Sequence, residues 1–82
     1  MKIIVYILYS ESTLKYYTGY TQDLANRLAE HNSGETISIR KGIPWKIIWT
    51  AELSSRAEAM KLESKIKKRG AKRFIEDLSR GA

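Results

Sequence analysis

The sequence predicts an α+β fold in which a small three-stranded antiparallel sheet is flanked by three helices, in the order ββαβαα. Two short runs rich in β-branched and aromatic residues lie near the start, one stretch of alternating apolar and polar residues lies at 45–53, and three further segments carry apolar residues at helical spacing. The chain has 82 residues, the length of one small domain, so we expect a single domain over residues 1–82.

A β-hairpin opens the predicted fold. The apolar and aromatic run at 4–9 stops at a polar turn, and a second run, rich in tyrosine and threonine, covers 15–20. Two such runs with a brief polar connection are typical of paired antiparallel strands. The first run is too short to span a bilayer, and no small-residue cleavage site follows it, so we expect neither a membrane segment nor a signal peptide.

Two tyrosines of the hairpin are candidate functional residues. Side chains alternate between the faces of a strand, so Tyr6 shares a face with Leu8, and Tyr17 shares a face with Gly19. If these two faces coincide, two phenols stand on one surface beside a glycine that leaves space. The alternative interpretation is that both tyrosines are structural aromatics of the sheet.

The first helix is predicted over residues 21–32, with Thr21 as its N-cap and Asp23 in its first turn. Its leucines and His31 fall on one face at helical spacing. Arg27 lies four residues before His31 and points the same way, toward the edge of the apolar stripe. From the spacing alone, the expected interpretation is that both polar side chains are solvated.

The segment 33–44 is predicted to be a loop, because glycine, proline and polar residues surround its isoleucines. Binding residues are frequent on loops that a rigid scaffold positions. Arg40 and Lys41 lie in this segment, and both are candidates for contact with a phosphate backbone.

The third strand is predicted over residues 45–53, where apolar and polar residues alternate. The alternation places Trp45 and Trp49 on the apolar face, and Ile48 interrupts the polar face. We interpret the two tryptophans as core residues rather than as platforms for base stacking.

The second helix is predicted to start at a capping box formed by Ser55 and Glu58 and to end at Gly70. Glu63 falls within its apolar stripe, where a buried carboxylate needs a cation, hydrogen bonds or a metal as compensation. The alternative is a partly exposed glutamate that pairs with Lys67 one turn further on.

A third helix is predicted over residues 71–79, and a basic surface covers the end of the chain. The net charge of +6 and the isoelectric point near 9.7 favour a polyanionic partner. The positive charge at the end of the second helix also suits the helix dipole, so part of it has a structural explanation. The candidate nucleic-acid-binding residues here are Lys67, Lys68, Arg69, Lys72 and Arg73.

The composition indicates a globular protein without disulfide bonds. A share of 43% hydrophobic and 29% charged residues is typical of a globular chain. The sequence contains no cysteine, which excludes both a disulfide framework and a thiolate metal site. We therefore expect a reducing, cytoplasmic location and no membrane partner.

This ordered set of motifs resembles the GIY-YIG nuclease family, which includes the N-terminal domain of the bacterial excision-repair incision subunit, and most closely its small stand-alone bacterial members. The chain departs from the family pattern at Ile4, where the family has glycine, at Thr18, where it has isoleucine, and in having no asparagine beyond Asn32. The resemblance covers almost the whole chain and is carried by Ile4-Val5-Tyr6, Tyr17-Thr18-Gly19, Gly19 to Leu24, Arg27-Leu28, His31-Asn32, the Trp45 strand, Glu58-Ala59 and Glu63.

The resemblance implies a role for each of five residues. Tyr6 would be the general base or would orient the attacking water, and as a base it would need nearby cations to lower its pKa. Arg27 would hold the scissile phosphate with its planar fork of donors. Glu63 would bind one divalent ion, Mg²⁺ or Mn²⁺. Tyr17 and His31 would position the phosphate or the water.

The function implied is that of a metal-dependent endonuclease, a phosphodiester hydrolase acting on DNA, structured or damaged DNA included. RNA is an alternative substrate, and other DNA repair proteins are implied partners. Two other classes of function stay open: a non-catalytic basic module that binds nucleic acid or acts as an adaptor, and a protein-interaction module that binds an acidic partner. A flat dependence of nucleic-acid affinity on salt would favour the last of these.

Overall fold

A computed structural model describes residues 2–34 and 37–80 of the chain. Three antiparallel strands form one sheet in the order β2-β1-β3, which confirms the predicted α+β class and the order ββαβαα. Glu35 and Thr36 of the predicted loop lie outside the described residues. The elements are β1 (Ile3–Ser10), β2 (Lys15–Thr21), α1 (Leu24–Ser33), a 3₁₀ helix (Ile37–Gly42), β3 (Trp45–Leu53), α2 (Arg56–Arg69) and α3 (Ala71–Arg80).

The register of the hairpin brings the two tyrosines to one face. Tyr6 of β1 pairs with Gly19 of β2, and Leu8 pairs with Tyr17. Paired residues of neighbouring strands point to the same face of a sheet, so the two phenols lie on one surface. Gly19 lies on that surface too, directly opposite Tyr6. The condition on which the sequence-based prediction depended is therefore met.

A β-bulge in β3 separates the two tryptophans. Leu8 pairs with Ile47 and the preceding residue, Ile7, pairs with Trp49, so that Ile48 is an extra residue in the ladder. Beyond the bulge the side chains change faces, and Trp45 and Trp49 point to opposite sides of the sheet. The prediction that one apolar face carries both tryptophans was wrong, and Ile48, which interrupted the alternation, marks the place where it fails.

Each face of the sheet therefore has its own core. On one face, α2 and α3 pack over the side chains of Ile3, Val5 and Ile7. Here the ring of Trp49 meets Phe74 of α3 edge-on, with the ring centroids 5.0 Å apart. On the other face, α1 and the 3₁₀ helix pack over the second cluster, formed by Tyr6, Leu8 and Trp45.

The first helix begins later than the sequence predicted. Its N-cap is Asp23, whose carboxylate accepts a hydrogen bond from the backbone N–H of Asn26 at 3.1 Å. Thr21 is the last residue of β2, and its hydroxyl accepts a hydrogen bond from the N–H of Asp23 at 3.1 Å. Gly34 ends the helix in the left-handed conformation with φ of 87°.

The second helix begins at the predicted capping box. Ser55 accepts a hydrogen bond from the N–H of Glu58 at 3.2 Å, and its own hydroxyl lies 3.3 Å from the Glu58 carboxylate. Gly70 ends the helix with φ of 92°, and α3 starts at the next residue. Within residues 2–34 and 37–80, no helix is long and apolar enough to cross a membrane.

Candidate active site

Tyr6 lies at the centre of the candidate site, on the central strand of the sheet. Its side chain is buried, and its hydroxyl lies 3.1 Å from Nε2 of His31, within hydrogen-bond distance. Gly19 makes room for the phenol, because a Cβ atom there would lie 2.7 Å from the Tyr6 hydroxyl oxygen and 2.9 Å from Cζ. The glycine is thus a steric requirement of the position that Tyr6 occupies.

His31 reaches the tyrosine from the last turns of α1, and only 1% of its surface is exposed. The next residue, Asn32, ties this end of the helix to β3. The backbone N–H of Trp45 donates to Oδ1 of Asn32 at 2.6 Å, and Nδ2 of Asn32 donates to the carbonyl of Trp45 at 3.2 Å. Sequence reasoning gave Asn32 no role, since an amide that pairs with a distant backbone leaves no periodic signal.

Tyr17 completes an aromatic group on the same face. Its ring meets the ring of His31 edge-on, with the centroids 5.0 Å apart. The ring of Tyr6 is 6.4 Å from that of Tyr17 and 6.1 Å from that of His31. The structure therefore brings together three of the five polar side chains that the sequence singled out.

Burial is the main influence on the pKa values of Tyr6 and His31. It raises the pKa of Tyr6 far above its usual value, and the neighbouring charges of Tyr17, Glu63 and Glu30 act in the same direction, while Arg27 opposes them. The pKa of His31 is lowered, again by burial first and then by Arg27. Near neutral pH Tyr6 is therefore a protonated phenol, and His31 is a neutral imidazole.

Arg27 and Glu63 are the two charged candidates, and they come from two different helices. The Arg27 side chain, on α1, is 45% exposed and forms a long ion pair of 3.7 Å with Glu30. The Glu63 side chain, on α2, is only 21% exposed and pairs with Lys67 at 3.5 Å, as the alternative interpretation of the sequence expected. Both charges act on the pKa of Tyr6, with opposite signs, so both lie within electrostatic reach of the phenol.

Glu63 is the candidate ligand for a divalent cation. Within the described part of the chain, no cluster of three or more histidine, cysteine or acidic side chains is placed to hold a metal. Mg²⁺ keeps several water ligands and is commonly held by one or two carboxylates together with substrate phosphates. A single carboxylate such as Glu63 is therefore compatible with Mg²⁺ or Mn²⁺ if water and a phosphate supply the remaining ligands.

The predicted nucleic-acid-binding cations divide into two groups. Three already have partners: Arg40 donates from Nε to the carbonyl of Gly34 at 3.1 Å, Lys67 pairs with Glu63, and Arg69 pairs with Asp77. The others are exposed and form no ion pair with any residue that the structure describes. These are Lys41, Lys68, Lys72 and Arg73. Contact of either group with a nucleic acid stays a prediction.

The comparison with known protein families gives the class of protein, a small α+β domain of the nuclease superfamily. The family model of the GIY-YIG catalytic domain matches residues 2–75, and the chain belongs to the GIY-YIG family.

Similar proteins are known from archaea and bacteria. A UPF0213 protein of Halobacterium salinarum is 43% identical over 53 residues, which cover 63% of this chain and 69% of that protein. A UPF0213 protein of Streptococcus pneumoniae is 42% identical over 55 residues, 66% of this chain and 56% of that protein. The solution NMR structure of the UPF0213 protein BH0048 from Bacillus halodurans aligns with 96% of this chain and 84% of that chain, with 31% sequence identity and a TM-score of 0.59.

Proposed function

We propose that the protein is a metal-dependent endonuclease of the GIY-YIG type, which hydrolyses phosphodiester bonds in DNA, structured or damaged DNA included. The observation that carries the proposal is the hydrogen bond between the buried Tyr6 hydroxyl and His31, within electrostatic reach of Arg27 and Glu63. A purely structural aromatic pair would not need an arginine and a glutamate from two separate helices around it.

Tyr6 acts in this proposal as a proton relay rather than as a phenolate. Burial raises the pKa of Tyr6 and so disfavours a preformed phenolate near neutral pH, and the base role implied by the family resemblance needs this change. The attacking water gives a proton to the Tyr6 oxygen while the phenolic proton passes to Nε2 of His31. This step requires a neutral imidazole with its proton on Nδ1, and the lowered pKa of His31 favours the neutral form.

Arg27 binds the phosphate whose bond is broken. Among the residues that the structure describes, its exposed guanidinium pairs only with Glu30, at 3.7 Å, so it can turn its fork of donors to two phosphoryl oxygens. The charge that develops on those oxygens in the transition state strengthens the same contact. Tyr17 limits the movement of His31 through its edge-on ring contact.

Glu63 would hold one Mg²⁺ or Mn²⁺ in exchange for its pair with Lys67. The bound ion would act as a Lewis acid on a phosphoryl oxygen and stabilise the leaving oxygen. Glu63 is suited to this role because its side chain, in the middle of α2, is mostly buried. Binding a ligand costs less conformational entropy at a carboxylate that is already fixed than at a solvated one.

The test is cleavage of labelled single-stranded, duplex, flap and four-way-junction DNA, and of RNA, in Mg²⁺, Mn²⁺ or EDTA. We expect metal-dependent cutting that Glu63→Ala and Arg27→Ala each reduce by on the order of a hundredfold or more, as for other removed transition-state contacts. Glu52→Ala is the matched control, since Glu52 pairs only with Lys2 in the described structure. Circular dichroism shows whether each variant is folded.

A non-catalytic nucleic-acid-binding module is the second candidate, and the Glu63–Lys67 pair favours it, because this pair neutralises the carboxylate that a metal would need. Salt-sensitive binding without cleavage under every metal condition would support this candidate and contradict the nuclease. Cleavage that Glu63→Ala and Arg27→Ala leave unchanged would contradict the site assignment.

A further inference from the structure

A second depression lies beside the candidate active site, where the end of β2 and the start of α1 face the first turn of α2. Its volume is about 360 Å³, and most of its exposed lining is polar. Arg27 contributes to its wall from α1, and Arg56 contributes from α2. The proposed chemistry uses Arg27 but gives no role to Arg56 or to this pocket.

The charges of the pocket are not balanced. Among its described lining residues, Asp23 is the acidic one, and its carboxylate is engaged as the N-cap of α1 through the N–H of Asn26. Arg56 forms no ion pair with any residue in the described ranges, and Arg27 has only the 3.7 Å contact with Glu30. Two arginines that share a concave polar surface repel each other, and a bound anion would relieve that repulsion.

The position of Arg56 on α2 relates the pocket to the catalytic residues. Arg56 and Glu63 are seven residues apart, so they lie on nearly the same side of the helix, about 10 Å apart along its axis. This distance corresponds to about three steps along one strand of duplex DNA. Arg27 belongs to the wall of the pocket and also lies within electrostatic reach of Tyr6. A strand that reaches the active site is therefore in a position to pass the pocket.

We propose that this pocket is a second phosphate-binding site, in which Arg56 holds a backbone phosphate within about three nucleotides of the scissile phosphate that Arg27 binds. The ligand is a phosphodiester of the nucleic-acid backbone, so the inference rests on the proposed function for its substrate class. A phosphate held there fixes the register of the strand relative to Tyr6, because contacts to the backbone position a nucleic acid without reading its sequence.

The experiment measures binding in EDTA, so that it does not depend on cleavage. A set of oligonucleotides, each with one phosphate replaced by an uncharged methylphosphonate, is titrated with the wild type and with Arg56→Gln. We expect Arg56→Gln to weaken binding of the unmodified strand on the order of three- to tenfold and to reduce the salt slope by about 0.9 on a duplex. At one or two adjacent positions, the methylphosphonate should weaken wild-type binding but not that of the variant.

Lys46→Gln is the control, because it removes one positive charge at the opposite end of β1, where Lys46 pairs with Glu11. This variant should keep the wild-type sensitivity at every position. Equal sensitivity of Arg56→Gln and wild type at all positions would overturn the proposal, as would a lack of wild-type binding. If Arg56→Gln loses the methylphosphonate effect at one or two positions but the wild type shows no metal-dependent cleavage, the second phosphate site is supported and the proposed nuclease is contradicted.

Discussion

At the scale of single residues, Gly19 determines where the Tyr6 phenol stands. Replacing Gly19 with alanine would place a methyl group 2.7 Å from the Tyr6 oxygen, so the ring would have to shift, and its hydrogen bond with His31 would be disturbed. We expect Gly19→Ala to lower the free energy of unfolding by about 1 to 3 kcal/mol, the usual cost of overpacking a core. Urea denaturation measures this difference.

The Tyr6→Phe background provides the control for this prediction. Phenylalanine lacks the oxygen that makes the closest contact, so Gly19→Ala should cost less there, and the double-mutant cycle should give a favourable coupling. An equal cost in both backgrounds would show that the phenol oxygen is not what requires glycine at this position.

His31 offers a direct measurement of the electrostatics of the site, because the chain contains one histidine and its imidazole signals in an NMR titration are unambiguous. Burial and the charge of Arg27 lower its pKa below the usual value of 6.5. We expect the measured pKa to lie below 6.5 and to rise in Arg27→Ala. The control is Arg80→Ala, at the end of α3, which should leave it unchanged.

The same shift makes stability depend on pH. The folded protein binds the His31 proton less readily than the unfolded chain. The contribution of His31 to the free energy of unfolding is therefore fully present above pH 6.5 and is lost as the pH drops through 6.5 toward the lowered folded pKa. A His31 pKa at or above 6.5 would contradict this account and would also remove the neutral proton acceptor from the proposed relay.

At the scale of elements, the bulge at Ile48 gives β3 one residue more than its ladder with β1 needs. If Ile48 is deleted, Ile47 still pairs with Leu8 and Trp49 still pairs with Ile7, with their side chains on the same faces as before. We therefore expect the deletion variant to fold, at a cost of about 1 kcal/mol. Thermal unfolding and circular dichroism check both statements.

Deletion of Thr50 is the contrasting control. Thr50 pairs with Tyr6, and its loss would move the following residues by one position, so that Glu52 would point into the core opposite Val5. A buried carboxylate without a partner is costly, and we expect this variant not to fold. Equal damage from the two deletions would contradict the assignment of Ile48 as the extra residue.

The elements show what the sequence was able to predict. Periodicity and capping signals are local, and they correctly predicted three strands, three helices and the cap at Ser55. The cap at Asp23 was missed because Thr21 offered the same chemistry two residues earlier, and the side chain that reaches a free N–H depends on where β2 ends. The bulge was missed because an interruption of alternation has no unique structural meaning until the partner strand is known.

In the candidate site, too, local sequence signals were predictable and contacts between distant residues were not. Strand alternation and helical spacing singled out Tyr6, Tyr17 and His31, but it was the resemblance to the GIY-YIG family that predicted a common site for them. Arg56 and Asn32 were not predicted, because their roles depend on residues distant in the sequence, across the pocket and on β3. No local pattern contains that information.

At the scale of the whole molecule, the net charge of +6 does not say which cations are available to a polyanion. Arg69 is not free, because its guanidinium donates from Nε and from one terminal nitrogen to the two carboxylate oxygens of Asp77, at 2.7 and 2.9 Å. This bidentate pair joins α2 to α3. Lys72 is exposed and has no ion pair within the described residues. Substitutions of Arg69 and Lys72 should therefore differ in their effects on stability and on nucleic-acid binding.

We expect Arg69→Gln to lower the thermal midpoint and to leave the salt dependence of nucleic-acid binding nearly unchanged. Lys72→Gln should leave the midpoint unchanged and reduce the salt slope by about 0.9 for a duplex, because each lost phosphate contact removes about that amount. Asp77→Asn distinguishes the roles further. It breaks the same pair, so the midpoint should fall as in Arg69→Gln, but it releases the guanidinium and should strengthen binding. If Arg69→Gln and Lys72→Gln reduce the slope equally while neither changes the midpoint, binding depends on total charge, and the pair with Asp77 does not withhold Arg69 from the polyanion.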